Sequence, residues 1–100
     1  MCYEKSTGKP EQAECLRKVV KKARDLLEDS YASSLTWAKT VDKDTGGTHK
    51  VEENLKASHA KFKEYLEAEC NYVYSTYTTG TGGGDAYTGC LIDTIVERLD

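Results

Sequence analysis

Apolar residues recur along this chain at intervals of three and four, in two long runs and one short one. Cys15, Leu16, Val19, Val20, Ala23, Leu27, Tyr31, Leu35, Ala38 and Val41 form the first stripe, and Arg17, Lys18, Lys21, Lys22, Asp25, Glu28 and Asp29 fill the opposite face. Such spacing puts one apolar face on an amphipathic α-helix. Pro10 followed by Glu11 marks its start, because proline fits the first helical turn and an acid there meets the positive end of the helix dipole. Lys9 and the residues before it are expected to be irregular. The second stripe is Val51, Leu55, His59, Phe62, Leu66, Cys70, Val73 and Tyr77, a helix of about seven turns, with the Thr48 hydroxyl as its expected cap. A third, shorter stripe carries Tyr87, Cys90, Leu91, Thr94, Ile95 and Leu99, with Asp85 as the expected N-cap.

Two breaks separate these helices. Asp42 to Gly47 is an acid-and-glycine turn, and a short loop between two long helices makes an antiparallel hairpin. Gly80, Gly82, Gly83 and Gly84 interrupt the chain again, since glycines lose the most backbone entropy in a helix and offer no side chain to pack. If the arms on either side of this second break run antiparallel, Cys90 returns to within one turn of Cys70, within reach of a disulfide. The pattern therefore predicts an all-α fold: a long antiparallel two-helix hairpin plus a shorter C-terminal helix, disulfide-stapled. One hundred residues suit a single helical domain spanning 1–100, with 1–9 irregular.

Four cysteines in so short a chain point to an oxidising compartment, where paired thiols persist. None stands in a C-x-x-C pair, so zinc and dithiol redox chemistry are poor readings. The expected pairing is Cys70 with Cys90 and Cys2 with Cys15, each joining neighbours across one turn or entry segment; the closest rival is Cys15 with Cys70. No stretch is long and apolar enough to span a membrane. Export then requires that a leader has been removed and that Met1 precedes a mature start near Cys2. A lipid anchor on Cys2 is the competing reading, against which the even cysteine count weighs.

Fourteen basic and seventeen acidic side chains give a net charge of −3, which argues against nucleic acid and mildly favours a basic partner. The basic cluster of the first helix is followed one turn later by acids, as in a solvated face. Asp42, Asp44, Gly47 and Glu53 fall at positions 1, 3, 6 and 12 of an EF-hand loop, making a calcium-binding helix-loop-helix protein one alternative. However, Gly46 occupies the fifth position and Lys50 the ninth, so sensor-like calcium affinity is not expected. His49 and His59 are the only histidines, and neither stands beside a nucleophile in a triad; His59, on the apolar stripe, reads as a core histidine. Glu64, Glu67 and Glu69 read as part of a solvated face. No catalytic constellation, cofactor site or metal site emerges, and the chain is not expected to be an enzyme. Tyr72, Tyr74 and Tyr77 cluster before the glycine loop, either as a contact surface or as buried support for the staple.

Several of these residues resemble one family, the small secreted bacterial helical domains related to the lysozyme inhibitor LprI. Its pattern sets an aromatic residue, a tyrosine and D-A-E-C on one helix, a glycine-bearing loop, then Y-x-x-C-L and an arginine. Here these are Phe62, Tyr65, Glu67-Ala68-Glu69-Cys70, the loop from Gly80 to Gly84, Tyr87-Thr88-Gly89-Cys90-Leu91, and Arg98. Upstream, Cys2, Glu14-Cys15-Leu16 and the step from Leu27 to Tyr31 also fit. The chain departs from the pattern at Phe62, where tryptophan is usual, at His59, where glutamine is usual, and at Leu66, where arginine is usual. The resemblance implies an α-helical hairpin bundle and a periplasmic or extracellular inhibitor of lysozyme-type muramidases. An immunity or envelope protein with another partner would share the same features. A stapled glycine loop flanked by hydroxyls could enter an enzyme cleft at little ordering cost. The expected partner contact is therefore the end carrying Tyr74, Thr79, Thr81, Asp85 and Tyr87.

Overall fold

A computed structural model describes residues 9–78 and 82–99. Three helices follow in order: α1 (Lys9–Asp44), α2 (Val51–Ser75) and α3 (Gly83–Leu99). The long axis of the molecule measures 56 Å, which is the length of α1 itself, about 54 Å at 1.5 Å per residue. The fold is thus all-α, with α1 and α2 as the hairpin and α3 as the shorter third helix.

The register of the hairpin can be read from three contacts. Arg24 meets Glu67, Glu28 meets Lys63, and the ring of Tyr31 stacks on that of His59. Each step of about one turn up α1 matches one turn down α2, as antiparallel helices require. Between them and α3 lies a core of Ala23, Leu27, Leu66, Cys70, Leu91 and Ile95, with Val20, Phe62, Tyr87, Cys90 and Leu99 packed against it. All of these positions belong to the predicted apolar stripes. Arg98, near the end of α3, reaches Ser58, and Leu55 lines a cavity with Arg98 and Leu99, so only the first turn of α2 extends past α3, into a tip that it builds with the end of α1. Ala38, fully buried, belongs to that two-helix tip.

The hairpin turn explains where the helices stop and start. Gly46 and Gly47 both have positive φ, and the Gly47 N–H donates to the Asp42 carbonyl at 2.7 Å, the Schellman arrangement that ends many helices on a glycine. The second helix starts at Val51, not near Thr48. The Thr48 hydroxyl donates to the Thr45 carbonyl instead, and the residue at the cap position, Lys50, is left-handed (φ 52°) and supplies no capping side chain. The acceptor comes from α1: the Asp42 carboxylate receives the N–H groups of Val51 (2.9 Å) and Glu52 (3.0 Å). These are two of the donors that a helix start leaves without partners.

Three other boundaries differ from expectation. Lys9 lies inside α1, so the helix begins before Pro10; the remainder of the segment expected to be irregular, residues 1–8, lies outside the described residues. The second helix closes at Ser75, short of Tyr77. The third opens at Gly83, which puts Asp85 in the first turn rather than at the cap. Gly83 is buried, and a Cβ on it would lie 3.1 Å from Tyr77 Cβ and 3.5 Å from the Tyr74 ring. A side chain there would push Tyr74, in the last turn of α2, and Tyr77, just beyond it, away from the start of α3.

Candidate functional site

The disulfide sets the geometry of the glycine-loop end. Cys70 and Cys90 are bonded, with their Cα atoms 5.5 Å apart, which fixes the penultimate turn of α2 against the second turn of α3. Cys15 is also disulfide-bonded. Its rival pairing with Cys70 is therefore excluded, and Cys2, the expected partner, lies outside the described residues.

Next to the staple, one carboxylate ties all three helices together. The Tyr87 hydroxyl donates to Glu67 Oε2 at 2.7 Å, and Arg24 Nη2 donates to Glu67 Oε1 at 3.0 Å. Glu67 is consequently not on a free solvated face, as its neighbourhood of glutamates and lysines suggests. The hydrogen bond from Tyr87, aided by that from Arg24 and opposed by partial burial, holds the Glu67 carboxyl below its ordinary pKa. The same hydrogen bond, with burial and the charge of Glu67 adding to it, raises the Tyr87 phenol above its own. Charge-assisted hydrogen bonds of this kind are among the stronger ones available to a small helical protein.

Of the five residues expected to contact a partner, three can be placed. Tyr87 is half-buried and its hydroxyl is engaged with Glu67. Tyr74 stands edge-on to the Tyr87 ring, centroids 6.4 Å apart, and keeps 54% of its surface exposed. Asp85 is half-exposed on the first turn of α3. Thr79 and Thr81 lie outside the described residues. Tyr72 and Tyr77 are 64% and 47% exposed, so they do not form buried support for the staple. Beside them a shallow groove of about 560 Å³ runs between α2 and α3, lined by Tyr77, Asp85, Ala86, Gly89, Cys90 and Asp93 among others.

A second polar cluster lies further along the hairpin. His59 is 7% exposed, stacks on Tyr31 with ring centroids 3.8 Å apart, and has Nε2 3.3 Å from both oxygens of Glu28. Lys63 donates to the same carboxylate at 3.1 Å. The Lys63 hydrogen bond, with that of His59 adding to it and burial opposing, lowers the Glu28 pKa. His59 is thus a packed and partnered core histidine. Among the described residues no group of three or more His, Cys, Asp or Glu side chains could hold a metal ion.

Most of the downstream residues that carry the sequence resemblance occupy the seam between α2 and α3. Phe62 lies under the Arg98 guanidinium, 5.0 Å from ring centroid to Cζ, a cation–π contact. Glu67 binds Tyr87, Cys70 binds Cys90, and Leu91 is buried. Tyr65, 55% exposed, and Ala68 lie on the exposed side of α2. The part played by Arg24 is not visible in the sequence, where it is one of several cations of the first helix. The signal for it is positional: Arg24 immediately follows the core residue Ala23, which turns it toward α2.

No curated protein and no solved structure matches the chain. No helix among the described residues is long and apolar enough to cross a membrane. The family model described as Lysozyme inhibitor LprI matches residues 2–100, and with both halves of its cysteine framework and the whole α2–α3 seam inside that match, the chain belongs to the LprI family.

Proposed function

We propose that this protein is an exported inhibitor, secreted or periplasmic, that binds a lysozyme-type muramidase and has no catalysis of its own. Family membership over nearly the whole chain is the observation that carries this reading. Two structural features support it. The disulfide fixes the glycine-loop end before any partner arrives, so little conformational freedom is lost on binding. The net charge of −3 draws the chain toward a basic enzyme, whose cleft carries carboxylates and sugar-binding groups. The disulfides suit an oxidising compartment. The three helices share one core, and we take residues 1–100 to act as a single unit.

The contact is placed at the end bearing Tyr74, Thr79, Thr81, Asp85 and Tyr87. Tyr74 and Asp85 are the direct contacts among the described residues, while Tyr87 buttresses Tyr74 from behind. The calcium-binding alternative is not carried forward, because both oxygens of Asp42 accept backbone N–H groups of α2, where an EF-hand would need them on the ion.

A cell-wall lysis assay against a panel of lysozymes tests the proposal, using the oxidised protein, Tyr74→Ala, Asp85→Ala, and a reduced, alkylated sample. Inhibition by the oxidised protein that weakens in all three others is the expected result. Absence of inhibition across the panel at molar excess removes the function. Full inhibition by both variants keeps the function and moves the contact to another surface.

A further inference from the structure

The groove between α2 and α3 carries two carboxylates. Its two rim carboxylates, Asp85 and Asp93, are both on α3, eight positions and so about 12 Å apart along the helix. Neither has a hydrogen-bond or ion-pair partner among the described residues, and no lysine or arginine lines the groove. Six other acids, Glu14, Asp25, Glu28, Glu52, Glu64 and Glu67, each have a cation within salt-bridge distance; Asp29, Asp44, Glu53, Glu69 and Glu97 share the lack of one, and Asp85 and Asp93 differ from these in lining a groove whose described residues include no lysine or arginine.

The floor between those carboxylates is low. Ala86 and Gly89 supply it, with the Cys90 end of the disulfide behind them, and a Cβ placed on Gly89 would meet nothing within 4 Å. Tyr77 forms the opposite wall with about half of its surface exposed. Its Cβ lies beside Gly83, where an added side chain would come within 3.1 Å of it. A long cationic side chain can therefore lie along the floor, with its stem on Ala86 and Gly89, its charge at a carboxylate and its flat head against the Tyr77 ring. An arginine fits this better than a lysine, because its planar guanidinium both forks onto a carboxylate and stacks on an aromatic face.

We infer that this groove is a docking site for an arginine side chain presented by a basic protein surface, with Asp85 and Asp93 as the charge partners and Tyr77 as the stacking wall. The assignment rests on the inhibitor reading for the identity of that protein. It adds a specific anchor on the flank of the loop end, of the arginine-with-tyrosine kind that tends to dominate the affinity of protein interfaces. Charge complementarity selects the occupant: two unpaired acids with no compensating base repel an acidic partner and attract a cationic one.

The test has two arms. In the first, the ¹⁵N-labelled oxidised protein is titrated with a short arginine-rich peptide, and with lysine and glutamate versions of it, by two-dimensional NMR. Saturable shifts centred on the amides of Ala86, Gly89 and Asp93 are expected, tightest for arginine and absent for glutamate. Asp85→Asn, Asp93→Asn and Tyr77→Ala should each weaken arginine-peptide binding by roughly fivefold. Gly89→Leu, which fills the floor, should abolish it, and the spectra report directly whether each variant remains folded. Shifts that do not saturate, or that centre on Glu28 or Asp42, overturn the assignment. The second arm measures binding of the same variants to a lysozyme that the wild-type protein inhibits. Weaker binding by the groove variants supports the site, and unchanged binding overturns it as the enzyme contact. If peptide binds in the groove but no lysozyme is inhibited, the groove stands and the inhibitor reading falls.

Discussion

The hydroxyl of Tyr87 lies 2.7 Å from Glu67 Oε2, on the far side of the same carboxylate that receives Arg24. One acid thereby connects α3 to α2 and α2 to α1. Removing the phenolic hydroxyl with Tyr87→Phe is expected to destabilise the protein by about 1 kcal/mol, the lower range for a hydrogen bond to a charged but partly exposed group. For a chain of this size that corresponds to a melting temperature lower by about 4–8 °C. Equal stability of Tyr87→Phe and wild type in urea titrations would remove the clasp from the account. A double-mutant cycle with Arg24→Ala should show the two interactions coupled through Glu67.

The clasp and the Glu28 cluster together set a pH window. Glu67 and Glu28 both have pKa values below the ordinary 4.5, so the folded state favours their charged forms. Their contribution is fully present above about pH 4.5 and is lost as pH falls through the lowered values. Tyr87 runs the other way. Its pKa is raised above the ordinary 10.0, so its contribution holds below about pH 10 and is lost as pH rises through the raised value. Melting temperature should therefore be flat between these limits and decline on both sides. Glu67→Gln should flatten both declines; identical acid and alkaline slopes in that variant would show that the stability change arises elsewhere.

Much of this arrangement was legible in the sequence, and the rest was hidden for identifiable reasons. Leu27, Leu66, Leu91 and Ile95 announce the core because their spacing matches the helical period. Cys70 and Cys90 announce the staple because a glycine loop must fold the chain back between them. Glu67 was misleading: with Glu64 and Glu69 for neighbours it looks solvated, and whether it meets Arg24, 43 positions away, depends on the angle at which two helices pack. Asp42 was hidden differently. Capping signals are sought immediately before a helix, whereas this acceptor sits nine positions upstream of Val51, in the last turn of the preceding helix. The glycine loop likewise shows that a turn exists without showing that α2 has already ended at Ser75.

Replacing Asp42 with alanine should cost about 1 kcal/mol, as loss of a helix cap generally does. The diagnostic measurement is amide hydrogen exchange at Val51 and Glu52, which should accelerate more than exchange in the middle of α2. Asp42→Asn should retain part of the protection. Uniformly faster exchange along the whole helix would point to global destabilisation instead.

The Cys70–Cys90 bond closes a loop of 20 positions, for which chain entropy gives about 3 kcal/mol. Cys70→Ser with Cys90→Ser is expected to lower stability by that order and to loosen α3 first. Limited proteolysis followed by mass spectrometry checks this. Early cuts should appear between Gly80 and Gly84 in the double variant and not in the oxidised protein; cuts appearing first in the α1–α2 turn would contradict the assignment.

Asp42 serves two helices at once. Its carbonyl accepts the bond that ends α1, and its carboxylate accepts the bonds that begin α2. The stop, the turn and the restart are thus encoded within about ten consecutive residues, and none of them needs α3. Contacts so close in sequence form with little loop-closure cost and speed folding. The order of assembly that follows is a hairpin nucleated at its tip, zipping toward the Arg24 and Glu67 level, onto which the third helix docks before oxidation locks it. If the bond between Cys70 and Cys90 forms only after the hairpin has zipped, the tip acts as the template, and the disulfide is closed last.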